Sequence, residues 1–143
     1  SNISGDMFNV MRMALQIQRM IDNKPFADAH KPIESLSIEP LQALEWATIN
    51  GAQMMGMEDK IGSLTVGKQA DIILIRTDDL NIRPVNDPVN SIVFYANASN
   101  IDTVYIAGEL RKKNGKLIYK NLSNVMEKLE RSGEKILGNT NAN

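Results

Sequence analysis

The sequence predicts a chain of the α/β class, and three observations support this prediction. Residues 6–22 carry apolar side chains at helical spacing, residues 70–75 form a short apolar run rich in β-branched residues, and Asn114-Gly115 separates two strand-like runs. Apolar residues at i, i+3, i+4 and i+7 indicate one face of a helix, and Asn-Gly between two extended runs is the strongest short signal for a hairpin. With 143 residues, the chain has the size of one ordinary domain.

The first predicted helix covers residues 6–22. Ser4 is the predicted N-cap, and Asp6 suits the positive end of the helix dipole. We expect Pro25 and the polar residues after Asp22 to end this helix, because proline lacks a backbone N–H and breaks helical hydrogen bonding. The face predicted to be buried consists of Met7, Val10, Met11, Ala14, Leu15, Ile17 and Ile21.

A second helix is predicted to follow the irregular segment 23–37. Its expected N-cap is Ser37, with Glu39 and Pro40 in the first turn. We expect Asn50-Gly51 to interrupt it, and residues 52–57 to continue as a short helical turn. The residues predicted to form its apolar side are Leu41, Leu44, Trp46 and Ala47.

The second half of the chain is predicted to be richer in strands. Residues 70–75 are predicted to form a buried strand, 77–90 a loop, and 89–96 a short helix, although the periodicity of the last segment is ambiguous with a strand. Residues 101–107, 109–113 and 116–119 are expected to form a three-stranded meander around Asn114-Gly115. A final helix is predicted from its N-cap Ser123 to Leu137, and its predicted inward-facing residues are Val125, Met126, Leu129 and Ile136.

Composition excludes several classes of function. The 16 Lys and Arg against 17 Asp and Glu give a net charge of -1, whereas nucleic-acid-binding proteins usually carry a basic excess. No apolar run reaches 18 residues, and no polybasic anchor is present, so we expect neither a nucleic-acid nor a membrane partner. The absence of cysteine excludes disulfides, thiolate zinc sites and cysteine nucleophiles, and it favours a reducing, cytoplasmic location.

The candidate chemical groups do not combine into an active site. The single histidine, His30, cannot build a three-ligand zinc site or a credible Ser–His–acid triad. The stretch from Gly62 to Lys68 differs from a phosphate-binding loop because Ser or Thr does not follow the lysine, so we interpret both of its glycines as turn residues. The adjacent carboxylates Glu58-Asp59 and Asp78-Asp79 read as solvated loop residues. We therefore assign no catalytic residue and no metal ligand within this chain.

Two further patterns favour structural interpretations over functional ones. Basic residues cluster around the predicted hairpin turn, at Arg111, Lys112, Lys113, Lys116 and Lys120. An anion site is the alternative, but charged hairpin tips commonly discourage edge-to-edge aggregation. Methionines recur on the first helix at Met7, Met11, Met13 and Met20. Their helical spacing favours core packing over a peptide-binding groove.

Four stretches together resemble the C-terminal part of a metal-dependent amidohydrolase. The family's hallmark Gly-Ser-Leu-x-x-Gly-Lys-x-Ala-Asp is similar to residues 62–71, and its Ala-Thr-x-x-Gly-Ala helix to residues 47–52. Residues 1–12 resemble the segment that enters the last barrel helix, and residues 87–108 resemble the closing strands. The resemblance covers residues 1–120 in family order, and it is closest to the branch of cytosine, guanine and adenosine-type deaminases and triazine chlorohydrolases.

This resemblance implies a fold and an activity. The family has a (β/α)₈ barrel and a small β-sandwich built from both chain ends. The implied divisions are 1–58 (last barrel helix and following helical segment), 59–120 (C-terminal strands of the sandwich) and 121–143 (C-terminal helix and tail). The implied reaction is hydrolysis of a C–N or C–Cl bond in a cyclic amidine, purine, pyrimidine or triazine-like small molecule, in which zinc (or iron) activates a water molecule.

The resemblance also places the metal ligands outside this chain. The family's ligands are a His-x-His, two later histidines and an Asp at the end of the last barrel strand, and only Ser1 and Asn2 are expected near that site. We therefore expect a C-terminal fragment, inactive by itself, whose partner is the remainder of the barrel. Because its apolar faces lack cover, we also expect a homo-oligomer. The alternative is a stand-alone, non-catalytic oligomerisation or binding module.

Overall fold

The computed structural model describes residues 5–140, excluding the side chains of residues 139 and 140. It contains both helices and a small antiparallel sheet, in agreement with the α/β prediction, and short helical segments separate the first strand from the other three. In chain order the elements are α1 (Met7–Asp28), α2 (Pro40–Trp46), α3 (Ile49–Met54), β1 (Ile72–Ile75), α4 (Pro88–Asn90), a π-helical segment (Ser91–Tyr95), a 3₁₀ turn (Ala98–Asn100), β2 (Ile101–Ile106), β3 (Glu109–Lys113), β4 (Lys116–Leu117) and α5 (Leu122–Thr140).

Helix α1 differs from its prediction at both ends. The N-cap is Asp6, whose Oδ1 accepts a hydrogen bond of 3.0 Å from the Phe8 amide, and the predicted cap Ser4 lies outside the described residues. The helix continues through Pro25 to Asp28. The carbonyl of Pro25 still accepts from the Ala29 amide at 3.2 Å, because proline removes a donor but no acceptor.

Helix α1 carries two apolar faces, and only one of them is buried. Phe8, Met11 and Leu15 are the buried residues, so the predicted buried face is right for Met11 and Leu15 alone. Ala14 is exposed. Six large residues on the other side are 46–66% exposed, and we call them the outer face of α1: Met7, Val10, Met13, Ile17, Met20 and Ile21. Apolar spacing identifies a helix, but it cannot say which of two apolar sides the chain covers.

The second predicted helix is two helices with a break in a different place. Helix α2 begins at Pro40 with Glu39 as its cap, and the Gln42 side chain accepts from the Glu39 amide at 2.8 Å. The predicted cap Ser37 instead donates its hydroxyl to Asp22. The break falls at Thr48, whose hydroxyl donates to the Leu44 carbonyl at 2.7 Å, and the predicted interruption Asn50-Gly51 lies inside α3.

The apolar side of α2 also differs from its prediction. Ala43 is fully buried, whereas the predicted Leu41 is 52% exposed. Leu44, Trp46 and Ala47 are partly buried against the core. The buried side of α2 is therefore centred on Ala43, and Leu41 lies on the solvent side.

The sheet confirms that these segments form strands, but the prediction of a buried strand at 70–75 is wrong: β1 covers Ile72–Ile75 only, and Ile73 and Leu74 are 48% and 51% exposed because β1 lies at the sheet edge. Its four antiparallel strands follow the order β1-β2-β3-β4, so the segment 70–75 supplies an edge strand beside the predicted meander. The pairs Ile73↔Val104 and Val104↔Lys112 place three strands side by side. Asn114 and Gly115 both have positive φ, at 51° and 73°, as the tight hairpin turn requires. Strand β4 is shorter than the predicted 116–119.

The ambiguous segment 89–96 is helical, and it closes the core. Val93 and Ala96 are fully buried there, and they contact Leu15 and Met11 of α1, Ala43 of α2 and Ile82 of the preceding loop in one hydrophobic cluster. The core therefore lies between the helices and the loop 77–87, and the predicted loop 77–90 is wrong at its end, where Pro88–Asn90 forms α4. The sheet contributes partly buried residues at its edge, among them Ile75 and Ile101.

Helix α5 exposes the residues that were predicted to face inward. Val125, Met126, Leu129 and Ile136 are 45%, 46%, 63% and 69% exposed. The prediction of burial is wrong within this chain, because the rest of residues 5–140 does not cover this side of the helix. No helix within these residues has both the length and the apolar character needed to span a membrane.

Candidate functional site

The first described residues that follow the predicted substrate-proximal pair in the sequence are those at the start of α1. Ser1 and Asn2 themselves lie outside the described residues. A cavity of about 300 Å³ opens beside the first turn of α1, between α2, β1 and the π-helical segment. Its wall includes Phe8 and Met11 of α1, Leu44 of α2 and Ile73 of β1.

This cavity can accept an apolar group, but it offers no acid–base pair. Among its described lining residues, Asp6 is the one that ionises. Both carboxylate oxygens of Asp6 are already used, since Oδ1 accepts from the Phe8 amide and Oδ2 accepts from Asn9 Nδ2 at 3.1 Å. Its role is therefore to start α1.

Arg12 fixes α1 against the π-helical segment. Its Nε donates to the Val93 carbonyl at 3.0 Å, and its Nη2 donates to the Ala96 carbonyl at 2.7 Å. These bonds orient the start of α1 relative to the core. Sequence reasoning missed this role because the partners are backbone carbonyls more than 80 positions away along the chain, and no local pattern marks them.

The glycines of the segment 62–71 are turn residues, as predicted. Gly62 and Gly67 have φ of +86° and +96°. A Cβ at Gly62 would lie 2.7 Å from the Ala52 Cβ and 3.0 Å from the Ile49 Cα, whereas a Cβ at Gly67 would meet nothing within 4 Å. The Lys68 ammonium donates to the Ile61 carbonyl at 3.3 Å, so it serves the turn itself. This segment packs closely on α3.

A polar cluster joins the loop 77–87 to the 3₁₀ turn before β2, and sequence reasoning did not identify it. Asn100 is 1% exposed, and its Nδ2 donates to Asp79 at 2.7 Å and to Asn81 at 3.0 Å. The Arg76 Nε donates to both Asp79 oxygens, at 3.2 and 3.3 Å. Hydrogen bonds from Asn100 and then Arg76 lower the pKa of the Asp79 carboxyl. The Asp79 hydrogen bond raises the pKa of Arg76.

This cluster predicts an acid-sensitive contribution to stability. Because the pKa of Asp79 is lower in the folded chain, the ionised carboxyl stabilises the fold above the ordinary aspartate pKa of about 4, and this contribution is lost as the pH falls further. We expect Asp79→Asn to lower the melting temperature at pH 7 and the deficit to shrink towards pH 3. The matched control is Asp78→Asn, at the exposed neighbouring position. Thermal melts across this pH range test this, and a deficit independent of pH would contradict it.

The described residues do not fit a metal ion. No group of three His, Cys, Asp or Glu side chains within residues 5–140 is placed to hold one. His30 is exposed and lies just after α1 with φ of 52°. Of the adjacent carboxylates, Asp79 is committed to Asn100 and Arg76, and Glu58 and Asp59 are exposed. We therefore derive no step of catalysis from a metal held by these residues.

Two of the basic residues near the hairpin have side-chain partners in the structure. Arg111 forms an ion pair with Glu109 on the same strand, and the Lys112 ammonium lies 3.5 Å from the Ala98 carbonyl. Lys113 and Lys116 are paired in register beside the turn. Among residues 5–140, this geometry fits the predicted charged hairpin tip.

Comparison with known proteins decides the family. The model of the amidohydrolase family matches residues 1–111. The chain belongs to the amidohydrolase family. This confirms the resemblance that the four sequence stretches carry.

Curated relatives of this amidohydrolase chain are deaminases. It is 38% identical over 110 residues to a 5-methylthioadenosine/S-adenosylhomocysteine deaminase of Teredinibacter turnerae. The aligned residues cover 76% of this chain and 22% of that protein. It is also 38% identical over 101 residues to a 5′-deoxyadenosine deaminase of Methanobrevibacter smithii, covering 65% of this chain and 23% of that protein. The chain thus spans less than a quarter of the length of these two relatives.

Solved structures of similar fold include zinc-bound enzymes. An adenosine deaminase from Xanthomonas campestris with bound zinc matches with a TM-score of 0.78 and 25% identity, over 92% of this chain and 28% of that one. An atrazine chlorohydrolase from Arthrobacter aurescens TC1 complexed with zinc matches with a TM-score of 0.68 and 21% identity, over 85% of this chain and 25% of that one. At 21% identity, the match to the atrazine chlorohydrolase shows a similar fold only.

Proposed function

We propose that this chain is the C-terminal portion of a longer amidohydrolase, which hydrolyses a C–N or C–Cl bond of a cyclic amidine, purine, pyrimidine or triazine-like small molecule. The proposal depends on a contrast between the family match of this chain and the side chains that its described residues offer to a metal ion. The family match spans residues 1–111, yet residues 5–140 hold no group of side chains that fits a metal ion. The chemistry of the longer protein then resides in residues outside this chain, and the isolated chain is inactive.

Deamination of an adenosine-type nucleoside is the first choice of reaction. The curated relatives are named as deaminases of 5-methylthioadenosine, S-adenosylhomocysteine and 5′-deoxyadenosine. Such a reaction replaces an exocyclic amino group with oxygen from water and releases ammonia. The proposal for the longer protein includes a zinc (or iron) ion, a small-molecule substrate and a cytoplasmic location, with no nucleic-acid or membrane partner.

The outer face of α1 supports the proposal that a barrel completes this chain. Its six large apolar side chains are 46–66% exposed, and contiguous exposed apolar surface usually marks an interface. We propose that residues 1–58 pack on the remainder of the barrel. Residues 59–120 would then belong to the sandwich and 121–143 to a C-terminal helix and tail, while Ser1 and Asn2 lie nearest to the substrate.

We expect the purified 143-residue chain to bind no stoichiometric zinc and to deaminate neither adenosine nor 5′-methylthioadenosine. The physical reason is the missing donor set, since a catalytic zinc site takes three protein ligands and an open position. Metal analysis by mass spectrometry and ultraviolet assays of deamination measure the two results. The matched control is His30→Ala, which removes the single histidine and should leave both results unchanged.

Stoichiometric zinc together with turnover by this chain would contradict the proposal. Zinc that disappears in His30→Ala, without turnover, would identify adventitious binding at an exposed imidazole. The sequence that precedes Ser1 in the source gene provides an independent test. A His-x-His after a predicted strand there supports the proposal, whereas a start codon at the boundary favours the second candidate.

The second candidate is a stand-alone, non-catalytic oligomerisation or binding module. Two apolar surfaces favour it, because both the outer face of α1 and one side of α5 are exposed. Such surfaces suit docking onto another protein as well as they suit completion by a barrel. This module would bind its partner without any change in a small-molecule substrate, so the deamination assay on the longer protein separates the two candidates.

A further inference from the structure

The cavity beside the first turn of α1 is apolar and open on the side of β1. Its volume is about 300 Å³, and Phe8, Met11 and Ile73 belong to its wall. Phe8 and Met11 are 7% and 4% exposed, whereas Ile73 is 48% exposed, so the β1 side of the wall stays accessible within residues 5–140. The cavity has room for a large aliphatic side chain, because an apolar cavity of about 150 Å³ can already hold benzene.

The polar groups of the wall leave this cavity suited to an apolar occupant. Asp6 and Thr48 carry the two polar side chains among the described residues that line it. Both Asp6 oxygens accept hydrogen bonds within the first turns of α1, and the Thr48 hydroxyl donates to the Leu44 carbonyl at 2.7 Å. An apolar side chain gains free energy by leaving water for such a site, whereas a polar one would lose hydrogen bonds to water without replacing them.

One residue of the segment that precedes the described residues has this apolar character. Gly5 is the first described residue, it lines the cavity, and a Cβ built on it would meet nothing within 4 Å. Of the four residues before it, Ser1, Asn2 and Ser4 are polar and Ile3 is apolar. Ile3 precedes Gly5 by two residues, so its Cα lies within about 7 Å of the Gly5 Cα and its side chain can reach the cavity.

We propose that the Ile3 side chain occupies this cavity and covers Ile73. The covalent link to Gly5 holds Ile3 beside the cavity, so it fills the space without the translational and rotational entropy that a separate partner would lose. The contact would serve the purpose of a hydrophobic staple, in which an apolar residue before the N-cap packs on the first turns of a helix and fixes the entry of the chain. This inference goes beyond the proposed hydrolase function and does not depend on it, because it concerns only residues of this chain.

Introduced thiols test the burial of position 3, because the chain has no native cysteine. We expect the thiol of Ile3→Cys to react with N-ethylmaleimide about tenfold or more slowly than that of Leu80→Cys, since a buried thiol reacts only when its segment opens locally. Leu80 is the matched control because it is 94% exposed. The difference in rate should vanish in urea. Equal rates in the folded chain would overturn the proposal.

A double-mutant cycle tests the contact with the wall. We expect Ile3→Ala to raise the equilibrium constant of unfolding about tenfold, because three buried carbon atoms are lost. Combined with Ile73→Ala, it should lose less stability than the two single changes together, since the second change removes a contact that the first has already broken. Leu80→Ala removes the same number of carbon atoms at an exposed position, and its small effect should add to that of Ile3→Ala.

Urea unfolding of the four variants measures these terms. No loss of stability in Ile3→Ala, or full additivity with Ile73→Ala, would refute the seating of Ile3 in the cavity. A loss in Ile3→Ala that depends on protein concentration would also refute it, because a second copy of the chain would then be the occupant.

Discussion

Gly62→Ala is expected to destabilise the chain by about 2–5 kcal/mol. Two costs add at this position. A non-glycine residue at φ of +86° is strained, and the new Cβ would lie 2.7 Å from the Ala52 Cβ and 3.0 Å from the Ile49 Cα. Because Ala52 is 3% exposed and Ile49 presents backbone, neither neighbour can move aside without shifting α3. The free energy of unfolding from urea titration measures the loss.

The second hallmark glycine separates the two costs. Gly67 has a similar φ of +96°, but a Cβ there would meet nothing within 4 Å. Gly67→Ala should therefore lose only the conformational part, about 1–2 kcal/mol. If both variants lose the same stability, the close approach of Gly62 to α3 is not what this position requires, and the packing argument fails.

Leu15→Ala is the other change with a large expected effect, at about 2–5 kcal/mol. Leu15 is fully buried at the contact of α1 with the π-helical segment, where Val93 and Ala96 are also fully buried. Removing its side chain loses the burial of apolar atoms and leaves a cavity that surrounding side chains fill only in part. The midpoint and slope of urea unfolding report the change.

Ile17→Ala is the matched control for Leu15→Ala. It removes the same number of atoms two positions along the same helix, but from the outer face of α1, where Ile17 is 46% exposed. We expect a loss below about 1 kcal/mol. A loss at Ile17 equal to that at Leu15 would show that the outer face is covered in this chain, and it would remove the support that this face lends to a completing barrel.

The local elements were largely predictable because their signals are local. Helical spacing predicted α1, a β-branched run predicted β1, and Asn114-Gly115 predicted the hairpin. The wrong predictions concern where the helices end and which of their faces are buried. Pro25 does not end α1, since a proline near the end of a helix removes one donor only.

The candidate site was predictable only through the family resemblance. The motif at residues 62–71 identified the family, but no residue spacing predicted that Gly62 packs on α3. The anchoring of Arg12 and the cluster around Asn100 went unnoticed, because each joins residues that are distant along the chain. An arginine can donate to almost any carbonyl, and an asparagine to almost any carboxylate. The partner that each one has is therefore known only from the folded structure.

The sequence by itself determined the class of the chain, its family, and the absence of thiol chemistry and of any three-histidine centre, because these follow from residue types and short spacings. Tertiary structure alone decided which apolar side of α1 is buried, where α2 breaks from α3, and that Asp79 binds Arg76 and Asn100. The physical reason is that burial and hydrogen bonding depend on which surfaces meet. Apolar spacing shows that a helix can bury a face, whereas the elements that pack against it decide which face that is.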